Sequence, residues 1–251
     1  MTTHEPDTEE STAQGGDAGA MAEAYVDVRN VRRTYRRSET ELAALDDISL
    51  AVPEGELAGI VGHSGAGKST LLNIIGGLDR PSGGTVVVGG TDLGTLDEAG
   101  LAVYRRETVG FVFQDASLVP ALTVYENVML PLVPLAADRE EKAERVEAAL
   151  AEVNIAHRAE HLPGELSGGE QQRAAVARAV VNDPELILAD EPTGELDSEN
   201  AGRILTLLER LNGQGRTVII ASHDADTIAV TRRVFRLEEG ALVGDDVTRG
   251  N

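Results

Sequence analysis

Apolar and polar positions divide the chain into stretches of different period. Tyr25-Val26-Asp27-Val28-Arg29-Asn30-Val31 and Ile48-Ser49-Leu50-Ala51-Val52 alternate with the period of two that predicts half-buried strands. Leu57 to Val61, Val109 to Phe113, Leu186 to Glu191 and Thr217 to Ser222 are almost continuously apolar, the pattern of strands covered on both faces in a parallel sheet. Thr85 to Val88 adds a strand, and Val234 to Leu237 with Ala241 to Val243 reads as a closing hairpin around Gly240. Leu93 to Tyr104 reads as a polar connection with some helix. Thr123-Val124-Tyr125-Glu126 is a capping box opening a helix that Pro131 and Pro134 break. Asp138 to Val153 is the clearest amphipathic helix, and Ser198 to Asn212 reads as a further helix after the turn Pro192 to Asp197. No strand pattern lies between Gln114 and Pro184. The expected architecture is therefore α/β, with a largely parallel core sheet, an antiparallel β part before it and an inserted helical subdomain at about 115–183.

The ends read differently. Met1 to Ala22 carries acids, no Lys or Arg, and mostly small polar residues between, so it is expected to be a disordered acidic tail. The domain is expected over 23–245, with 246–251 loose.

Charge and composition narrow the function. A net charge of −21, from 43 acidic and 22 basic residues, excludes a general nucleic-acid binder, which needs a basic surface. Only Lys68 and Lys142 are lysines, and self-repulsion of this size needs counter-ions, which points to a high-salt cytoplasm. The absence of cysteine removes disulfides, thiolate metal sites and thiol catalysis. No apolar run approaches the roughly 18 residues of a membrane span, so the expected location is cytoplasmic, peripheral on the inner face of the membrane.

The chemistry centres on Gly62-His63-Ser64-Gly65-Ala66-Gly67-Lys68-Ser69-Thr70, a full match to G-x-x-x-x-G-K-[ST] between a buried strand and a helix. Bare backbone at the glycines lets N–H groups meet phosphate oxygens, Lys68 reaches the β and γ groups, and the Ser69 hydroxyl is placed for Mg²⁺. The motif implies a bound nucleoside triphosphate. Gln114, ending a strand, is a candidate Mg²⁺ and water contact, because open α/β sheets place ligand groups at carboxyl ends. Asp190 suits Mg²⁺ through water, and Glu191 suits polarisation of an attacking water. His223, at the end of the last buried strand, suits sensing of the γ-phosphate. Leu166-Ser167-Gly168-Gly169-Glu170 is a capped helix start and also an anion site, useful to the ATP of a partner chain. Tyr35, within Arg32 to Arg37, offers an aromatic face for a base, or else sits half-buried in a solvated basic edge. His157-Arg158-Ala159-Glu160-His161 fits H-x-x-E-H, but no third ligand is in evidence, and it reads as a solvated helix end.

In this order these residues resemble the ATP-binding-cassette ATPases over Tyr25 to Val243, within the phosphate-loop NTPase class. Gly62 to Thr70 is similar to the Walker A loop, Gln114 to the Q-loop and Leu166 to Glu170 to the signature. Leu186 to Glu191 is similar to Walker B, Gly194 to Asp197 to the D-loop and His223 to the switch histidine. The resemblance implies adenine stacking on Tyr35, ATP and Mg²⁺ as cofactors, a homodimer enclosing two ATP, and an integral membrane permease as partner near Gln114 and the helical subdomain. Ile75 to Asp79, Gly110 to Gln114 and Leu118 to Thr123 resemble the lipoprotein-releasing and macrolide-exporter branch. Alternatives within the family are an importer ATPase for amino acids or similar solutes, and a cell-division or assembly factor. A DNA-repair clamp would need a long heptad insertion that the proline-broken helical segment lacks.

Overall fold

The computed structural model describes residues 24–37 and 40–248; the expected acidic tail and the last residues lie outside them. The chain opens with an antiparallel hairpin, β1 (Ala24–Arg37) and β2 (Thr40–Pro53), followed by β3 (Leu57–Val61), α1 (Lys68–Ile75), β4 (Gly83–Val88) and β5 (Thr91–Asp92). The hairpin is longer than the alternation predicts. Arg32 to Arg37 continues β1 rather than connecting two strands, and Tyr35 pairs with Leu42 across the ladder. Register shifts between Val28 and Thr34 hide that continuation from a period-two reading.

Next come α2 (Glu98–Glu107), β6 (Val109–Val112), α3 (Val124–Met129), α4 (Arg139–Glu152) and α5 (Gly168–Val180). Residues 115–183 hold helices and short 3₁₀ turns without a strand among the described residues. The Thr123 capping box is formed, and α3 passes into a 3₁₀ turn where Pro131 sits. Ala156–Arg158 is a 3₁₀ turn, not a helix end, so His157 and His161 do not share an α-helical face. No cluster of metal-binding side chains occurs among the described residues.

The chain closes with β7 (Leu186–Asp190), α6 (Ser198–Gly213), β8 (Thr217–Ser222), α7 (Ala225–Val230), β9 (Arg233–Glu238) and β10 (Ala241–Val247). The short α7 has no counterpart in the sequence reading. The last hairpin runs through residues expected to be loose, because Arg233 and Arg236 pair with Asp245 and Asp246 across it.

Two sheets result. One is β2-β1-β4-β5, antiparallel; the other is β10-β9-β3-β8-β7-β6, parallel except for the β10 edge. Continuous burial in the core strands follows from coverage on both faces. Leu186 and Leu188 join a cluster with α1 and the antiparallel sheet, whereas Ile187 and Ala189 join one with α3 to α6. Within the second layer, the fully buried Asn127 accepts from Val119 N at 2.7 Å and donates to the Leu122 and Thr123 carbonyls at 3.0 and 2.9 Å. Asn127→Ala is expected to cost about 3 kcal/mol, since it strands several buried backbone groups; a denaturant midpoint measures it, and an unchanged midpoint contradicts this account.

Candidate nucleotide site

Parallel pairing brings the carboxyl ends of β3, β6, β7 and β8 to one edge of the core sheet. From that edge issue the glycine-rich loop, Gln114, the Asp190-Glu191 pair and His223. A cavity of about 290 Å³ opens there, lined by Ser64, Gly65, Gly67, Lys68, Ser69, Thr70, Gln114 and Glu191. Leu42, Ala43 and Ala44 of β2 form its far wall, a contribution the sequence reading missed because it did not extend that strand.

The loop's shape is fixed by contacts behind it. Gly67 takes φ 105°, and a Cβ there would lie 2.6 Å from the Ala44 carbonyl, so only glycine closes the turn against β2. Ala66 is buried, its N–H donating to the His63 carbonyl at 3.1 Å and its own carbonyl accepting from Gly240 N at 3.1 Å. Gly62, His63 and Ala66 therefore shape the loop without lining the cavity.

Lys68 is 6% exposed. Its Nζ donates to the Gly62 carbonyl at 2.8 Å and the His63 carbonyl at 3.3 Å, and lies 3.2 Å from Glu191 Oε1. The other oxygen, Glu191 Oε2, is 2.8 Å from His223 Nδ1. A carboxylate only accepts, so Nδ1 carries the proton there and Nε2 is left for another partner. Glu191 lies just past β7 with φ 47°, and its N–H donates to the Ala221 carbonyl at 2.8 Å. A left-handed non-glycine residue at a functional edge is a maintained strain of about 1–3 kcal/mol, here aiming the carboxylate between Lys68 and His223.

Asp190 differs from its neighbour. Burial pushes its carboxyl above the usual range, and a hydrogen bond from Ser69 pulls the other way. Its Oδ1 is buried with no hydrogen-bond partner. A buried acceptor in that condition fits a hard cation or its water.

Two predicted site groups lie elsewhere. The Tyr35 hydroxyl donates to Asp79 at 2.7 Å, and Arg33 covers one face of the ring at 4.5 Å from its centroid. Arg33 also grips Asp79 through Nε and Nη2 at 2.9 and 2.7 Å. Tyr35 does not line the cavity but stands opposite Leu42 of its wall, held by Asp79, which the sequence analysis met only as the end of the Ile75 to Asp79 stretch.

Ser167 to Glu170 is likewise remote from Lys68's cavity. Ser167 caps α5 and Glu170 returns the bond to Ser167 N at 2.9 Å. A Cβ on Gly169 would meet Asn200 Oδ1 at 2.5 Å, so the turn packs directly on the start of α6. Glu170 is held down to about 2, first by the Ser167 backbone N–H and then by Arg158, whose Nε is 2.9 Å away. The Ser167 hydroxyl also donates to Glu170, at 2.9 Å.

Loop, paired carboxylates and histidine at one sheet edge define an ATPase of the phosphate-loop class. The chain belongs to the ABC transporter family, whose model matches residues 45–194, and it is an ATP-hydrolysing cassette of that family. It is 44% identical over 225 residues to the macrolide export ATP-binding/permease protein MacB of Hyphomonas neptunium, covering 90% of this chain and 35% of that one. The MacB of Rhodospirillum rubrum is 46% identical over 220 residues, covering 88% of this chain and 34% of that one. The chain therefore spans about a third of the length of these curated relatives. Among solved structures, the ATP-binding cassette MJ0796, a dimer in a post-hydrolysis state bound to ADP and Pi, is 41% identical with a TM-score of 0.83. That match covers 90% of this chain and 100% of that one. The cbiO1 of Clostridium perfringens, part of the ABC transporter complex cbiONQ, is 30% identical with a TM-score of 0.80, covering 90% and 89%.

Proposed function

We propose that two copies of this chain close around two ATP molecules, each held by the loop of one copy and the Ser167 to Glu170 turn of the other, and drive an integral membrane permease. The observation that carries the reading is a division of labour. Lys68 and Glu191 line one cavity, with His223 bonded to Glu191 and Asp190 to Ser69 behind them, whereas the Ser167 to Glu170 turn is absent from that lining, which supports its use by the ATP of another copy. MJ0796, which this chain matches over its whole length, was solved as a dimer. Binding ATP better in the closed pair than in the open one shifts the population to closed, and hydrolysis returns it.

In this reading Lys68 exchanges the Gly62 and His63 carbonyls for phosphate oxygens, which frees Glu191 Oε1 for the attacking water. His223 keeps Glu191 oriented through Oε2. Ser69 and Gln114, with Asp190 through a water, would hold Mg²⁺, which supplies neutralisation of the phosphate charge. Ser167 reaches the partner's γ-phosphate after releasing its bond to Glu170. The free face of Tyr35 takes adenine, the other face being occupied by Arg33. Tyr35→Ala is expected to weaken ATP about tenfold with little change in maximal rate, the loss of one stacked ring; an unchanged Kd in a fluorescence titration removes the platform role.

No helix among the described residues is long and apolar enough to cross a membrane. We place the chain on the cytoplasmic face beside its permease, with the helical segment 115–183 as the subdomain docking it, and in a high-salt cytoplasm. The similarity to MacB favours an export or mechanotransmission partner. The test is capture of Glu191→Gln with ATP and Mg²⁺ in molar KCl from detergent-solubilised membranes, followed by mass identification. A permease with few spans and a large outer domain supports the proposal. A many-span permease with a binding protein transfers it to import, and soluble partners alone overturn it.

A further inference from the structure

A second cavity, of about 460 Å³, opens between the end of α4, α5 and α6, away from the nucleotide site. Its polar lining consists of Arg173 on α5, Arg203, Thr206 and Arg210 on α6, and Asn154 after α4. No carboxylate lines it among the described residues.

Arg203 and Arg210 are exposed, but Arg173 is partly buried, and a guanidinium taken from water without an acid is costly unless something anionic offsets it. Of the neighbouring carboxylates among the described residues, only Glu199 pairs with an arginine of the cavity. Glu170 is held by Arg158 and Ser167, and Glu152 lies 3.3 Å from Arg216. Glu199 pairs with Arg203 at 2.5 Å. Arg210 donates to the Glu152 backbone carbonyl, a neutral acceptor that leaves its charge in place. Arg173 forms no ion pair among the described residues, and its Nε is buried with no hydrogen-bond partner. Burial holds the Arg173 guanidinium below its ordinary value, with the Arg203 charge acting in the same direction and Glu170 against it.

Two positive charges therefore stay uncompensated at this cavity, on a chain whose overall charge is −21. Arginine forks match phosphate geometry, and Thr206 and Asn154 add uncharged donors on the same wall. We propose that Arg173, Arg203 and Arg210 form a binding site for a compact, multiply charged oxyanion of the diphosphate kind, separate from the ATP site. Residence of the anion ties α6, which begins beside the D-loop, to α5, which begins at the signature turn. Occupancy thereby bears on the two segments that a partner's ATP would contact.

Pyrophosphate is the probe, titrated by calorimetry at low ionic strength. The phosphate loop must be excluded, so the measurement uses both the Lys68→Ala chain and a chain whose loop is saturated with ATP. One pyrophosphate should bind in each. Adding R203Q and R210Q should weaken it about a hundredfold, roughly tenfold for each charge-assisted contact removed. Because that pair also loses the Glu152 contact, R203K with R210K serves as a second variant. It keeps both charges and stems and should bind with an intermediate Kd. No binding in either chain, or a Kd unmoved by R203Q with R210Q, overturns the proposal. The titration does not depend on dimerisation or on a permease, so its outcome stands apart from the transport reading.

Discussion

Glu191→Gln should lower ATP turnover roughly 10²–10⁴-fold while preserving ATP-dependent dimers. Glutamine keeps the length and branching of the side chain, and the left-handed backbone at φ 47° is anchored by main-chain bonds to Ala221 and Gly194 rather than by the carboxylate. The fold around the position should therefore survive. What changes is the acceptor. Glu191 offers one oxygen to Lys68 at 3.2 Å and the other to His223 at 2.8 Å, and an amide can accept at only one of its two heavy atoms. The variant loses the negative charge proposed to polarise water, and with it part of the pull that Glu191 exerts on Lys68. Nucleotide binding should be unimpaired or tighter as hydrolysis fails. Single-turnover hydrolysis with light scattering separates the two effects, and normal hydrolysis in this variant would falsify the role given to Glu191.

Lys68→Ala has the opposite signature, with binding lost before chemistry. Lys68 Nζ is the buried cation of the loop, held by two carbonyls and Glu191. In the proposed ATP-bound state these partners are exchanged for phosphate oxygens, so the net gain is a difference between two well-bonded states, not the whole strength of a lysine-phosphate contact. A buried charge pair truncated on one side still costs about 2–5 kcal/mol, because the remaining charge stays without its partner. ATP affinity should fall at least about thirtyfold by that measure, and the rise in unfolding temperature that ATP gives the parent chain should vanish. The alanine also leaves Glu191 without its cation, so the variant should be less stable than the parent even without nucleotide. An intact thermal shift with ATP would contradict the loop assignment.

Glu170 adds a pH dependence of known sign. Its value in the fold, about 2, is below that of a free glutamate, first because the Ser167 N–H favours the ionised form. The stabilisation it gives the start of α5 is complete above the ordinary glutamate range and is lost as pH falls toward 2.

The residues of the loop, the paired acids and the histidine were legible because each sits at the end of a continuously apolar run. A run of five or six mostly apolar residues, with β-branched types among them and bounded by turn residues, suits a strand covered on both sides, and a strand so covered delivers its next residues to the edge of the sheet. β1 lacks that regularity. Its shifts of register between Val28 and Thr34 break the alternation, so Arg32 to Arg37 reads as a connection although ladder bonds to β2 hold it extended. That misreading also hid Leu42 to Ala44 as a wall of the cavity. Short α7 and the extension of β10 to Val247 were invisible for a related reason: six residues give too few turns for a helical period, and β10 carries near its end the consecutive acids Asp245 and Asp246, each matched by an arginine across the hairpin.

The sequence by itself determined that a glycine-rich turn carrying Lys68 and Ser69 stands between a buried strand and a helix, the arrangement that suits a phosphate group. It also determined the α/β class, through the alternation of strand and helix periods. Only the tertiary structure decided what those side chains touch. The Lys68–Glu191–His223 chain, the grip of Asp79 on Tyr35 and the convergence of Arg173 with Arg203 and Arg210 each join residues from separate elements. Local patterning fixes each element and the direction of its faces. Which faces meet depends on sheet order and helix packing, and these are set by the burial of both core clusters together.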